Sequence, residues 1–282
     1  MHYSPLRYPG GKTRLYNKIC DMLDRLNVPD DAKFVEPFAG GAGLGLALLA
    51  NGRIGHLVIN DVDAGVSAFW YCAVYKTETL CENIENLPVT CAEYERQAKK
   101  LTEENLSIID LATAFFFVNR TSYSGIVTGG MMGGTEQSRS RIGDRFNKET
   151  LIRKIRNIGA LKTKITVSRQ DAFQLIPQGH LESKTFYFID PPYRKYGERL
   201  YGKWFRQDDH RKLSEALSEI SIPVWCVVYD DSPYIKELYE GFYSERVPVS
   251  YSANGHSKRF ERLFFNATPR KTELFNKYEY WK

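Results

Sequence analysis

Three short runs in this chain share one pattern, a stretch of aliphatic, β-branched and aromatic residues that ends on an acid. They are Lys33-Phe34-Val35-Glu36, His56-Leu57-Val58-Ile59-Asn60-Asp61 and Thr185-Phe186-Tyr187-Phe188-Ile189-Asp190. Runs that are apolar almost throughout, without a clean alternation, predict strands buried on both faces of a parallel sheet. Acids at the carboxyl ends of such strands point into the crevice where open α/β sheets hold ligands. Between the first two runs, an apolar helix over residues 44–50 follows a glycine-rich turn and completes a strand-turn-helix-strand unit. Residues 223–230 predict another central strand. Residues 246–251 and 262–266 predict an antiparallel pair at the sheet edge, joined by a loop that holds Asn254-Gly255.

The pattern breaks between residues 69 and 164, which read as helices, polar over 93–100 and apolar over 106–118, followed by a Gly/Ser/Thr-rich stretch over 121–140. The expected organisation is therefore an α/β fold. A Rossmann-like sheet comes from residues 1–68 and 165–282, and residues 69–164 form an inserted helical domain. Charge follows the same division. The chain carries +5 overall, yet residues 139–169, which include Arg139 and Arg141, hold ten Lys or Arg against Asp144 and Glu149. That segment nets +8 and leaves −3 for the remainder. With few acids to pair them, these cations point to a polyanion. A second basic stretch, Arg194, Lys195, Arg199, Lys203 and Arg206, is interleaved with Tyr196, Tyr201 and Trp204.

Several classes are disfavoured. A hydrophobic fraction of 43% argues against disorder, and the five widely spaced cysteines contain no Cys-x-x-Cys pair, so neither a disulfide framework nor a zinc knuckle is expected. His2, His56, His180, His210 and His256 show no ligand spacing, and no metal is expected. The amino terminus has no apolar signal core, and the apolar stretch over residues 37–52 is too short to span a bilayer. The expectation is a cytoplasmic protein that does not engage a membrane.

The glycine turn, Glu36-Pro37-Phe38-Ala39-Gly40-Gly41-Ala42-Gly43, follows a strand and opens a helix, where glycines let a ligand approach the backbone. It lacks the dinucleotide fingerprint, because Leu46 stands where the third glycine is required. Asp61, ending the next strand, is placed to bind ribose hydroxyls, so an adenosine-type ligand is expected. Pro9-Gly10-Gly11-Lys12-Thr13 fails as a phosphate-binding loop, since its first glycine would fall on Leu6 and almost no chain precedes it. Lys12 is then either a solvated charge or a side chain folded back onto the ligand site.

Asp190-Pro191-Pro192-Tyr193 follows the third run. Two prolines remove two backbone donors and leave carbonyl acceptors beside a carboxylate. Such a pocket suits a planar exocyclic amine like adenine N6. Acceptors from Asp190 and the Pro191 carbonyl would orient the amine and draw off its protons, and Tyr193 would supply a stacking face.

These motifs, in order, resemble those of the Dam-type DNA adenine-N6 methyltransferases, the α arrangement of amino-methyltransferases. The similarity runs through Arg7-Tyr8-Pro9-Gly10-Gly11-Lys12, Phe34-Val35-Glu36-Pro37-Phe38-Ala39-Gly40-Gly41, Asn60-Asp61, Phe117-Val118-Asn119-Arg120-Thr121-Ser122-Tyr123-Ser124-Gly125, Asp190-Pro191-Pro192-Tyr193 and Ser252-Ala253-Asn254-Gly255. The resemblance implies a class I methyltransferase sheet that uses S-adenosyl-L-methionine and releases S-adenosyl-L-homocysteine. It implies a cofactor site from Tyr8, Lys12, Glu36, Pro37, Phe38, Gly40, Gly43, Asp61 and Asp190. Asp171 and Phe173 stand for the family's acid-aromatic pair, although Ala172 intervenes here.

The inserted domain resembles a target recognition domain that presents Asn119, Arg120, Ser122 and Tyr123 to double-stranded DNA. Because Gly129-Gly130-Met131-Met132-Gly133-Gly134 departs from the GATC-modifying members, that specificity is not carried over. The implied reaction flips the adenine out and methylates it directly, with Asp190, Pro191, Pro192 and Tyr193 as the catalytic tetrapeptide. A cytosine-C5 route is disfavoured, because the Pro-Cys nucleophile is missing and Cys226 reads as core. RNA, a protein amide and a catalytically dead binder are the competing readings. The related protein-glutamine motif begins with Asn where this chain has Asp190, and a dead protein would be expected to carry a broken tetrapeptide. Whether the chain forms a homodimer, or has a cognate restriction endonuclease, is left open by the motifs.

Overall fold

The computed structural model describes residues 3–138, 140–178, 184–192, 205–220, 224–250 and 258–268. The strands β1 (Lys33–Glu36), β2 (His56–Asn60), β3 (Ile165–Ser168), β4 (Thr185–Ile189), β5 (Val224–Asp230), β6 (Tyr243–Ser250) and β7 (Lys258–Phe265) form one sheet in the order β3-β2-β1-β4-β5-β7-β6. The ladders from β3 through β5 are parallel, and β7 runs antiparallel to both of its neighbours. Strand order reverses between β1 and β4, which makes their carboxyl ends the switch point of a Rossmann-like open sheet.

Side chains alternate between two apolar layers. Phe34, Phe186 and Phe188 enter one, with ring centroids 5.6 and 5.9 Å apart in the Phe34 pairs, while Val35, Tyr187 and Ile189 enter the other. The first layer also takes in α1 (Tyr16–Arg25), α2 (Gly43–Ala50), α3 (Ala64–Tyr75), α4 (Thr77–Asn86), α5 (Cys91–Lys100), α6 (Ile108–Thr121) and α7 (Lys148–Gly159). The second layer is covered by α8 (Ala172–Gln178), α9 (Gln207–Ser218) and α10 (Pro233–Leu238). Cys226 is fully buried in the first layer, where burial pushes its thiol well above the usual range.

One expectation changes. The 68/69 boundary falls inside α3, one continuous helix that packs on both β3 and α6. The antiparallel pair stands at one edge of the sheet as expected, with β6 outermost and β7 between it and β5, where Leu263, Phe264 and Phe265 are buried. The joining loop, residues 251–257 with Asn254-Gly255, lies outside the described residues. No helix among the described residues is long and apolar enough to cross a membrane.

Candidate active site

The switch point is held together by Asn60 at the end of β2. Its amide donates to Pro37 O at 2.9 Å and Gln170 O at 3.0 Å, and accepts from Ser168 Oγ at 2.8 Å and Gln170 N–H at 2.9 Å. One fully buried side chain thus ties the exits of β1, β2 and β3. Asn60→Leu strands several buried partners and is expected to cost about 3 kcal/mol in denaturant unfolding. A loss below about 1 kcal/mol would show that water or relaxation replaces the amide.

Gly40 has φ +46, and a Cβ there would collide with the Tyr8 ring. The turn is fastened from two further elements. Gly40 N–H donates to Asp61 Oδ2 at 2.9 Å, and Trp70 Nε1 of α3 donates to Gly40 O at 2.8 Å. Asp61 Oδ1 also accepts Asp63 N–H at 3.0 Å. Solvent reaches Asp61 at its edge, yet enclosure by protein pushes its carboxyl up to about 6 against the pull of those amides. Glu36, at the end of β1, is buried. Its Oε1 accepts Gly45 N–H at 3.2 Å, while its Oε2 has no hydrogen-bond partner among the described residues. Burial, with a smaller contribution from the Asp190 carboxylate, raises the Glu36 carboxyl to about 8 against the Gly45 amide.

Lys12 is folded back onto this site, not solvated. It is 5% exposed, with Nζ 2.9 Å from Asp190 Oδ2 and 2.8 Å from Gly10 O. Three rings gather beside the turn. Phe173 stacks on Phe205 at 5.9 Å and 8°, and Phe205 meets Phe38 edge-on at 5.5 Å. Asp171 is exposed and accepts Phe173 N–H at 2.9 Å, a local turn that starts α8 and aims the Phe173 ring. Pro191 is buried and Pro192 half-buried. Tyr193 lies outside the described residues, as do Arg194, Lys195, Tyr196, Arg199, Tyr201, Lys203 and Trp204.

The expected DNA-facing residues divide into two sets. Asn119 is 1% exposed, and its amide accepts Arg7 N–H at 2.9 Å and donates to Arg7 O and Gly125 O at 2.8 Å each. Ser122 is also fully buried. Its carbonyl accepts Arg7 Nη1 at 3.1 Å, and its hydroxyl meets Tyr94 OH at 3.2 Å. These two residues are corrected from nucleic-acid contacts to internal supports, because their polar groups are spent on protein. Gly125, at φ +77, completes the clasp, since a Cβ there would strike the Arg7 carbonyl. Tyr123 is 67% exposed, Arg141 is exposed, and Arg139 lies outside the described residues.

Around the clasp stands a cationic group that sequence reasoning did not assemble: Arg7, Arg120, Arg145 and Lys154. Arg120 donates to Pro5 O at 3.4 Å and to Arg145 O, and its buried Nε has no partner among the described residues. Burial, then the like charges of Arg7 and Arg145, push the Arg120 guanidinium down to about 10. Lys154, which reaches Ser4 O at 3.2 Å, is lowered by burial and then by Arg120 and Arg153. The expected shortage of acidic partners does not extend to Arg156, whose guanidinium makes a bidentate contact with Glu78, 2.9 Å at its shortest. The structure also brings in Trp70, Phe205, Arg14 and Glu261, none of which carried a local signal.

An open parallel sheet with acid-ended strands around a glycine turn at its switch point defines a Rossmann-like α/β fold with its ligand crevice at that turn. The chain belongs to the D12 class of N6 adenine-specific DNA methyltransferases, whose family model matches residues 8–252. It is similar to the type II methyltransferase M.CviBI of Paramecium bursaria Chlorella virus NC1A, 25% identical over 90% of this chain and 93% of that protein. It is also similar to the type II methyltransferase M.MjaIII of Methanocaldococcus jannaschii, 20% identical over 88% of this chain and 92% of that one. Among solved structures, an rRNA methyltransferase, aviRa from Streptomyces viridochromogenes, covers 92% of this chain and 86% of its own, with 16% identity and a TM-score of 0.43.

Proposed function

We propose that this adenine-specific DNA methyltransferase uses S-adenosyl-L-methionine and acts on an adenine flipped out of double-stranded DNA. The observation that carries the reading is the convergence of Glu36, Asp61, Lys12 and Asp190 on one glycine turn. When bound, the cofactor supplies an electrophilic methyl group on a cationic sulfur. The residues fit such a group. Glu36 offers a cation a buried carboxyl oxygen, Oε2, that has no partner among the described residues, Asp61 faces the turn where a ribose would lie, and Phe38 and Phe173 offer ring surface to an adenine. Asp190 and the Pro191 carbonyl accept the N–H groups of the target amine, and Tyr193 stacks on the flipped base. Residues 69–164 serve as the recognition domain. Tyr123 and Arg141 face the duplex, and the cationic group around Arg120 takes backbone phosphate. A cognate restriction endonuclease is the partner this reading favours, since both relatives are type II methyltransferases.

Transfer of a tritiated methyl group, followed by nucleoside analysis, tests the reading. Label is expected in N6-methyladenine of duplex DNA, and label confined to RNA would overturn it.

Glu36 gives a second test. With its carboxyl raised to about 8, the free protein holds that proton at pH 7, and a cationic ligand expels it. Calorimetry in buffers of different ionisation enthalpy should register about one proton released per cofactor at pH 7, and none from this site in Glu36→Gln. Stability follows the same linkage. The folded state keeps a proton that the unfolded chain has lost, so the Glu36 contribution declines as pH rises from 4.5 towards 8 and vanishes in the glutamine variant.

A further inference from the structure

Lys12 sits between two carboxylates supplied from distant parts of the chain. Its Nζ is 2.9 Å from Asp190 Oδ2 and 3.6 Å from Glu261 Oε1, and that same Glu261 oxygen takes Arg14 Nη2 at 2.6 Å. Glu261 is 2% exposed on β7 and pairs in register with Asp230 of β5. It also lies past residues 8–252, the stretch the family model matches. Burying a charge is expensive unless it is paired, and here one buried ammonium is shared between the buried Glu261 and a half-buried Asp190.

We infer that Glu261 is a positioning residue for Asp190, giving the Lys12 ammonium a second anionic seat so that Asp190 keeps an acceptor oxygen for the target amine. The inference rests on the proposed reading of Asp190 as the amine acceptor. An ammonium and an exocyclic amine compete for the same carboxylate lone pairs, and the charge-assisted contact to the ammonium wins unless something else holds it. Glu261 supplies that hold, and Arg14 fixes the carboxylate that does so.

The experiment compares the unaltered protein with Glu261→Gln and Glu261→Asp. In Glu261→Gln the single-turnover methyl transfer rate at saturating cofactor is expected to fall at least about tenfold, while the DNA dissociation constant changes less than about threefold. Glu261→Asp, which keeps the charge, should return the rate to within about threefold of the original. In the ligand-free protein, the Lys12 ammonium protons, followed by nitrogen-edited NMR and assigned with Lys12→Gln, should exchange with water at least about tenfold faster in Glu261→Gln.

Rate and DNA affinity falling in parallel, with no rescue by aspartate, would overturn the inference in favour of a packing role. Unchanged proton exchange would overturn it as well. An unaltered protein that methylates no adenine would instead remove the reading of Asp190, an outcome the exchange measurement does not imitate.

Discussion

Asp190→Ala is expected to lower methyl transfer by at least about a thousandfold while leaving DNA binding within a few fold of the original. Two effects combine. The amine loses the carboxylate that orients it and draws its protons, and preorganised groups of that kind are each worth about a hundredfold or more. Lys12, 5% exposed and 2.9 Å from Asp190 Oδ2, also loses a partner, which leaves surplus positive charge where a cationic cofactor must bind. Cofactor affinity should therefore fall alongside the rate, whereas a purely catalytic residue would spare it. Filter binding to duplex DNA, cofactor titration and single-turnover methylation separate these effects. A variant that retains more than a tenth of the original rate would remove Asp190 from the chemistry.

The second large effect concerns the cationic group. Arg7→Gln combined with Arg120→Gln should weaken DNA binding about a hundredfold at low salt. It should also reduce the slope of log affinity against log salt by about two, one counterion contact for each cation removed. Stability should move the other way. Arg120 is pushed down to about 10 by burial and by two like charges, so the folded protein tolerates this guanidinium at a cost. The double variant is therefore expected to unfold at the same or a higher urea concentration than the original. Weaker binding accompanied by an unchanged salt slope would mean that the pair shapes the clasp and touches no phosphate.

Much of the fold could be read locally. β1, β2, β4 and β5 announce themselves because strands covered on both faces are apolar almost throughout. β3 does not, since Ile165-Thr166-Val167-Ser168 is a half-polar edge strand. The outward placement of Asn119 comes from the resemblance alone, which carries the whole of residues 119–125 toward DNA. On α6 every residue from Ala112 to Asn119 is buried, so Asn119 closes an enclosed run, while Arg120 is half-buried and Tyr123, past the helix end, is exposed. The partnerships of Arg7 and Glu261 carry no local signal, for another reason. Arg7 meets Asn119 across 112 positions and Arg14 meets Glu261 across 247, and nothing within a window of neighbours reports such a meeting.

That last separation bears on how the protein comes into being. Residues 12 and 14 leave the ribosome ahead of the carboxylate that braces them, which follows about 250 residues later on a strand that must slot between β5 and β6. Contacts of such high order close late in folding, because the loop entropy must be met before they give any return. A nascent chain can complete its parallel half-sheet and its glycine turn and still have no second seat for Lys12. On the inference drawn for Glu261, full methyl transfer activity waits for the synthesis of β7.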